Sequence, residues 1–170
     1  MSIRNFLLVA CLGATLAACT DGAPWNSDDG DGSLNAVDLN RPGLIGDQTS
    51  PAYFQQAIGD RVLFAVDQST LSPDAQAVLA AQASWLLDNP DYSVTIEGHA
   101  DDQGTREYNL ALGASRANEA RDFLVSRGVS ASRLKVVSYG KERPVEICSE
   151  ESCYSQNRRA VTVLTGGLTG

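Results

Sequence analysis

The chain has 170 residues, 43% of them hydrophobic, and a formal charge of −8 from 13 basic and 21 acidic side chains. That length supports one moderate core once a tail and a linker are set aside, so one folded domain is expected. The acidic balance excludes a nucleic-acid polyanion as partner, because phosphate binding needs clustered Lys and Arg and the sequence has no basic stripe.

Residues 1–18 carry one basic side chain, Arg4, followed by an apolar run from Phe6 to Leu16 that is too short for an ordinary membrane span. They read as a secretory signal, and its removal takes away one positive charge and no acid, leaving −9 from −8. Leu16-Ala17-Ala18-Cys19 has the form of a lipobox, in which cleavage leaves Cys19 as the lipidated first residue. Leu8-Val9-Ala10-Cys11 fits the same loose pattern, but cleavage there would leave an apolar core of a few residues. Acyl chains contribute about 0.8 kcal/mol per buried methylene, so several on one cysteine anchor a protein to a bilayer without spanning it. Thr20, rather than an aspartate, follows Cys19, and the resemblance to Gram-negative lipoproteins implies sorting to the outer membrane.

Residues 19–50 are rich in Gly, Asp, Asn, Ser and Pro and have only scattered apolar side chains, so burial does not offset their ordering entropy. They read as a flexible tether of about 30 residues with an end-to-end distance of roughly 30 Å. Asp28, Asp29 and Asp31 lack the alternating ligand order and closing glutamate of a calcium loop, so no metal is assigned to them.

The folded domain is expected over residues 51–170. Tyr53 to Gly59 suggests a short helix or turn, and Arg61 to Val66 a first strand. Ser72-Pro73 supplies a capping hydroxyl and a first-position proline. Ala75, Val78, Leu79, Leu86 and Leu87 then recur at helical spacing until Asn89-Pro90 stops the helix.

Val94 and Ile96 alternate with Thr95 and Glu97 in a second strand, ended by Gly98. The loop from Gly98 to Gly104 holds His99, Asp101 and Asp102, and Thr105 can cap the following helix. In that helix Asn109, Leu112 and Arg116 fall at i, i+3 and i+7 and share one face.

The Asp101 carboxylate and the Arg116 guanidinium could therefore face one small cleft. A carboxylate binds an ammonium group and a guanidinium fork binds a carboxylate, so the pair suits an amino-acid zwitterion. It suits equally well a salt bridge that fixes the loop on the helix.

Ala117, Ala120, Phe123 and Leu124 continue an apolar face to Gly128, and Ser130 to Ser132 can form one further turn. Leu134 to Tyr139 reads as a third strand and Ala160 to Leu164 as the last. Between them, Gly140 to Gln156 is expected to be a long polar loop. Cys148 and Cys153 lie in it, far from Cys11 and Cys19, so a four-thiol metal site is implausible. In an oxidising compartment they close a small ring worth about 2 kcal/mol by loop-entropy arithmetic. Their spacing favours a structural disulfide over a redox pair.

Four segments in order, Gly98-His99-Ala100-Asp101, Asn109 to Ala117, Val137 to Pro144 and Asn157-Arg158-Arg159-Ala160, resemble the successive motifs of the OmpA-like peptidoglycan-binding domain. The nearest likeness is to its peptidoglycan-associated lipoprotein branch. The likeness covers about residues 55 to 165. It implies an α+β two-layer sandwich, a mixed four-stranded sheet with two main helices on one face.

By the same resemblance Asp101 and Arg116 hold the diaminopimelate of a peptidoglycan stem peptide, with Asn109 able to add a hydrogen bond. Phe64, Asp67, His99, Leu112, Arg158 and Arg159 are candidates for ligand contact or loop support. Family members often carry an aspartate directly after the phenylalanine, where this chain has Ala65. The resemblance further implies an outer-membrane lipoprotein of the Tol-Pal system and a second partner, a TolB-like periplasmic protein bound on a surface overlapping the peptidoglycan site, with coupling to that protein as the alternative main role.

A hydrolase is the remaining class. Glu97 with Asp101, or His99 with a nearby serine, could be offered for it, but no nucleophile motif or metal-ligand cluster accompanies the single His99. No catalytic residue, cofactor or metal is assigned, and His99 is expected to be a satisfied structural histidine. A flagellar stator protein can carry a related domain, but it keeps an N-terminal membrane helix, and the lipobox argues against one here.

Overall fold

The computed structural model describes residues 47–166; the signal segment, Cys19 and the acidic tether expected from the sequence lie outside them. Ser50 caps the first helix, α1 (Pro51–Tyr53), its hydroxyl accepting the Tyr53 N–H at 3.1 Å. A π-helical turn, Phe54–Gly59, continues α1 and buries Phe54 against Trp85 with ring centroids 4.9 Å apart. Trp85 Nε1 donates to the Gln48 carbonyl at 2.6 Å and the Tyr92 hydroxyl to that of Thr49 at 3.0 Å, which seats the chain entry on the domain.

Strand β1 is Arg61–Leu63, shorter than the expected 61–66. The Phe64 N–H still reaches the Arg158 carbonyl at 2.9 Å. Beyond it the Ala65 and Gln68 carbonyls turn to a guanidinium, and Asp67 takes a left-handed φ of 57°, so extension stops.

Helix α2 (Pro73–Asp88) starts as expected, Ser72 accepting the Ala75 N–H at 3.1 Å. Leu79, Ala83 and Leu86 of α2 are buried, whereas Leu87 is half exposed and does not belong to the core face. Strand β2 (Tyr92–His99) runs past the expected stop at Gly98. Helix α3 (Arg106–Ser126) is capped by Thr105 and followed by Gly128 at φ 102°. A short 3-10 turn, Ala131–Arg133, leads into β3 (Leu134–Gly140). The Arg133 guanidinium donates to the carbonyls of Leu86, Asn89 and Tyr92 at 2.8–2.9 Å, tying the end of α2 to β2.

The segment expected to be a loop contains a helix, α4 (Glu151–Asn157), and the chain closes with β4 (Arg159–Gly166). Nothing in Glu151 to Asn157 repeats with helical apolar spacing. Its helix is held instead by the Cys148–Cys153 disulfide and by the Glu150 carbonyl, which accepts the Cys153 and Tyr154 N–H groups at 3.0 Å.

The sheet order is β1-β4-β2-β3, with β4 antiparallel to both β1 and β2, and β2 parallel to β3. Val62, Val94, Ile96, Leu134 and Ala160 point into one core with Leu79, Leu86 and Leu124 of the helices. Residues of alternate parity, Leu63, Val137 and Val163, are exposed. This is the expected α+β sandwich with a mixed four-stranded sheet. Among the described residues no helix is long and apolar enough to cross a membrane.

Helix α3 touches the β2 backbone directly. A Cβ on Gly98 would lie 1.8 Å from the Gly113 carbonyl oxygen, and one on Gly113 would lie 2.5 Å from Ser138 Oγ. A side chain on Gly98 would have to move the helix off the sheet, and one on Gly113 would displace the Ser138 hydroxyl from the Leu110 carbonyl. Gly98→Ala is expected to destabilise the domain by about 3 kcal/mol, the upper range for overpacking against backbone. A lowered urea midpoint with unchanged slope checks this; an unchanged midpoint would show that α3 can slide.

Candidate functional site

The contact between Gly98 and Gly113 fixes where the next turn of α3 projects. Arg116 follows three residues after Gly113 and points beneath the β1–α2 loop, with no exposed surface. Its Nε donates to the Gln68 carbonyl at 2.8 Å, Nη1 to that of His99 at 2.9 Å and Nη2 to that of Ala65 at 3.2 Å. The guanidinium also lies over the Phe64 ring, 5.4 Å from its centroid. Burial lowers the Arg116 pKa to about 10, with Asp101 pulling the other way, so the group stays charged at neutral pH.

Asp101 follows the end of β2. One of its oxygens accepts the Gln103 N–H at 3.3 Å, and the other pairs with Arg158 at 3.1 Å. The salt bridge between Asp101 and Arg116 weighed from the sequence is absent. The carboxylate's ion-pair partner is Arg158, which β4 brings alongside from the far end of the chain. Lys141 Nζ donates to the carbonyls of Asp102 and Gly104 at 3.2 and 2.7 Å, and Asn109 Nδ2 to that of Gln103 at 2.7 Å, so the whole loop is clamped.

A cleft of about 170 Å³ opens between this loop, the β1–α2 loop and α3, lined by Asp67, Asp101, Asn109, Leu112 and Arg116 among others. Five of the candidates read from the sequence therefore meet in one place. Tyr108 also lines it and donates its hydroxyl to Asp67. Sequence reasoning missed Tyr108, although it stands four residues before Leu112 and eight before Arg116, the same helical spacing.

The other candidates stand behind the cleft. Phe64 is buried under Arg116. Arg158 donates to the Phe64 carbonyl, to Asp101 and to both oxygens of Glu151. Burial lowers its pKa, but the hydrogen bonds it donates to Glu151 and Asp101, with their charges, outweigh that and raise it. Arg159 turns to the Asn157 and Arg143 carbonyls at 3.2 and 3.1 Å, a structural use. Glu151 was not singled out, because its partner lies seven residues on, across the turn into β4.

His99 contributes its carbonyl to Arg116 and hides its ring. The ring stacks on Tyr139 with centroids 5.5 Å apart and is 2% exposed. Neither ring nitrogen has a hydrogen-bond partner among the described residues, with Glu97 Oε2 lying 3.8 Å from Nε2. The ring is thus buried, as expected of a structural histidine, but no protein group among the described residues supplies the hydrogen bond expected with it. Among the described residues no group of three or more His, Cys, Asp or Glu is placed to hold a metal ion.

Fold and cleft together describe an α+β domain of the OmpA type. Residues 63–158 match the OmpA family model, and the chain belongs to that family. Its relatives within the family include the peptidoglycan-associated lipoprotein of Mesorhizobium japonicum, 50% identical over 96% of this chain and 94% of that protein. That of Legionella pneumophila is 40% identical over 90% and 89%. Among solved structures, the peptidoglycan-associated lipoprotein of Burkholderia pseudomallei superposes with a TM-score of 0.63 at 36% identity, over 71% of this chain and 98% of that one. The C-terminal domain of Helicobacter pylori MotB has a TM-score of 0.60 at 19% identity, covering 64% of this chain and 86% of that one, and shares the fold alone.

His99 gives the site's scaffold a pH dependence. Burial first, then the charges of Arg159 and Arg143, lower its pKa from 6.5 to about 4. The unfolded chain binds this proton near pH 6.5 and the folded chain only near 4, so stability is complete above about 6.5 and is lost as pH falls towards 4. His99→Phe, which keeps a stacked ring, is expected to flatten the stability-against-pH curve in that window by up to about 1.4 kcal/mol per pH unit. Urea titrations between pH 4 and 7 check this. Equal slopes in both proteins would show that the imidazole protonates in place.

Proposed function

We propose that this protein is an outer-membrane lipoprotein, lipidated at Cys19, whose domain binds peptidoglycan noncovalently through the diaminopimelate of the stem peptide. It thereby links the outer membrane to the cell wall as part of the Tol-Pal system. The observation that carries the reading is a single cleft reached by a carboxylate, Asp101, and a guanidinium, Arg116, with the Asn109 amide beside them. Asp101 takes the ligand ammonium. Arg116, which uses three of its five N–H groups on backbone carbonyls, supplies the positive charge at the floor of the cleft that draws a ligand carboxylate. Names of relatives that cover nearly the whole chain support the same assignment.

The role is binding rather than catalysis. The single histidine, His99, keeps its ring stacked on Tyr139 and does not line the cleft, so no imidazole serves there as a general base. A TolB-like periplasmic protein is the second partner. An apolar edge favours it: Val145 and Ile147 are 47% and 91% exposed, and Ile147 borders the far side of the Asp101–Gly104 loop together with Asp102 and Lys141.

The test is sedimentation of the soluble chain with purified sacculi, with and without free meso-diaminopimelate. Arg116→Ala would strand the three carbonyls it holds, that of His99 buried, so Arg116→Lys and Asp101→Asn are the informative variants. Each is expected to weaken pelleting at least about tenfold while melting as a folded protein, and the free amino acid is expected to compete. Binding that survives both variants would assign the pair to the scaffold alone. Soluble fragments released from sacculi over time would contradict a binding role.

A further inference from the structure

The Cys148–Cys153 disulfide closes a ring around Ser149, Glu150, Glu151 and Ser152. Upstream, Asn157 holds the chain by accepting the Val145 and Glu146 N–H groups at 2.8 and 3.2 Å and donating to the Glu146 carbonyl at 2.8 Å. Ile147 then stands almost fully exposed, so no packing fixes the chain between that anchor and the ring. Inside the ring the Glu151 side chain is 65% exposed and meets Arg158, whose own side chain is 5% exposed and meets Asp101. The disulfide, Glu151, Arg158 and the cleft carboxylate thus form one continuous series.

Arg158 divides its charge between two acids. With Glu151 in place, Asp101 shares a single oxygen with the guanidinium. Without Glu151, the whole charge of Arg158 falls on Asp101 and opposes any second cation brought to that carboxylate. An ion pair to an exposed glutamate is weak on its own, so the ring that holds Glu151 in place decides whether it persists.

We propose that Glu151, held by the Cys148–Cys153 ring, is a positioning residue of the cleft: it takes up part of the charge of Arg158 and so keeps Asp101 available to a ligand ammonium. The inference rests on the reading of the cleft given above and adds a ligand-tuning role for a segment outside the family motifs. Opening the ring with a dithiol breaks the S–S bond and leaves two thiols, while the dithiol departs as a cyclic disulfide. Glu151 is then released and Arg158 turns wholly to Asp101.

The experiment uses the full chain and measures meso-diaminopimelate affinity by calorimetry, oxidised and reduced, for wild type, Glu151→Gln and Cys148→Ser/Cys153→Ser. Glu151→Gln, the serine pair and reduction of the wild type are each expected to weaken binding about threefold to tenfold at low salt. The gap should close at high salt, which a merely structural defect would not do. Reduction should add nothing to Glu151→Gln.

Two results would overturn the proposal while leaving the cleft reading intact: Glu151→Gln binding like wild type, or reduction weakening Glu151→Gln as much as it weakens wild type. If wild type binds no diaminopimelate, the cleft reading fails, and the backbone amide signals of Asp101 and Gln103 in the ligand-free chain decide. A common shift on reduction and in Glu151→Gln sustains the positioning role, and unchanged signals refute it.

Discussion

A charged guanidinium with no exposed surface is the constraint on which this domain depends. Arg116 is affordable inside the protein only because three carbonyls, from Ala65, Gln68 and His99, turn inward to meet it. Those carbonyls belong to the loop after β1 and the end of β2, so satisfying one side chain fixes two loops against α3. The short β1 and the left-handed Asp67 follow from the same demand, since Ala65 and Gln68 cannot serve both a strand ladder and the guanidinium.

That arrangement requires α3 to lie almost on the sheet, which Gly98 and Gly113 permit together. A side chain at Gly98 would lift the helix and draw Arg116 away from its carbonyls. Asp101 is held by different means, through Arg158, which directly precedes β4, while Lys141, directly after β3, clamps the rest of its loop. The two charges of the cleft therefore have separate supports. Their separation is set by the relative placement of α3 and the start of β4 rather than by a preformed ion pair.

Much of this was legible in the sequence. Ser72-Pro73 and Thr105 announced two helices through their caps, and the faces set by Leu79 and Leu86 and by Ala117 and Leu124 are buried as helical spacing implies. Asn109, Leu112 and Arg116 meet in the cleft because they share a helix face, a local property. Non-local properties were not legible. Nothing near Asp101 indicates that its partner is Arg158, 57 residues on, because that pairing depends on β4 lying between β1 and β2. Helix α4 was hidden for a related reason: its stability comes from a disulfide and an ion pair rather than from an apolar face.

The separation of supports also explains why so much polar structure sits behind so small a cleft. A carboxylate beside a buried guanidinium would collapse onto it if no other cation were available, and the pair would then be closed to a zwitterion. Arg158 draws Asp101 sideways, and the carbonyl cage satisfies Arg116 without it, so neither charge depends on the other for its partner. The sheet thus holds two opposite charges apart at low dielectric, where a charge acts more strongly on its surroundings than it would in water. This separation is carried by backbone carbonyls and by the depth of α3 on the sheet, which is set by Gly98 and Gly113, neither of which lines the cleft.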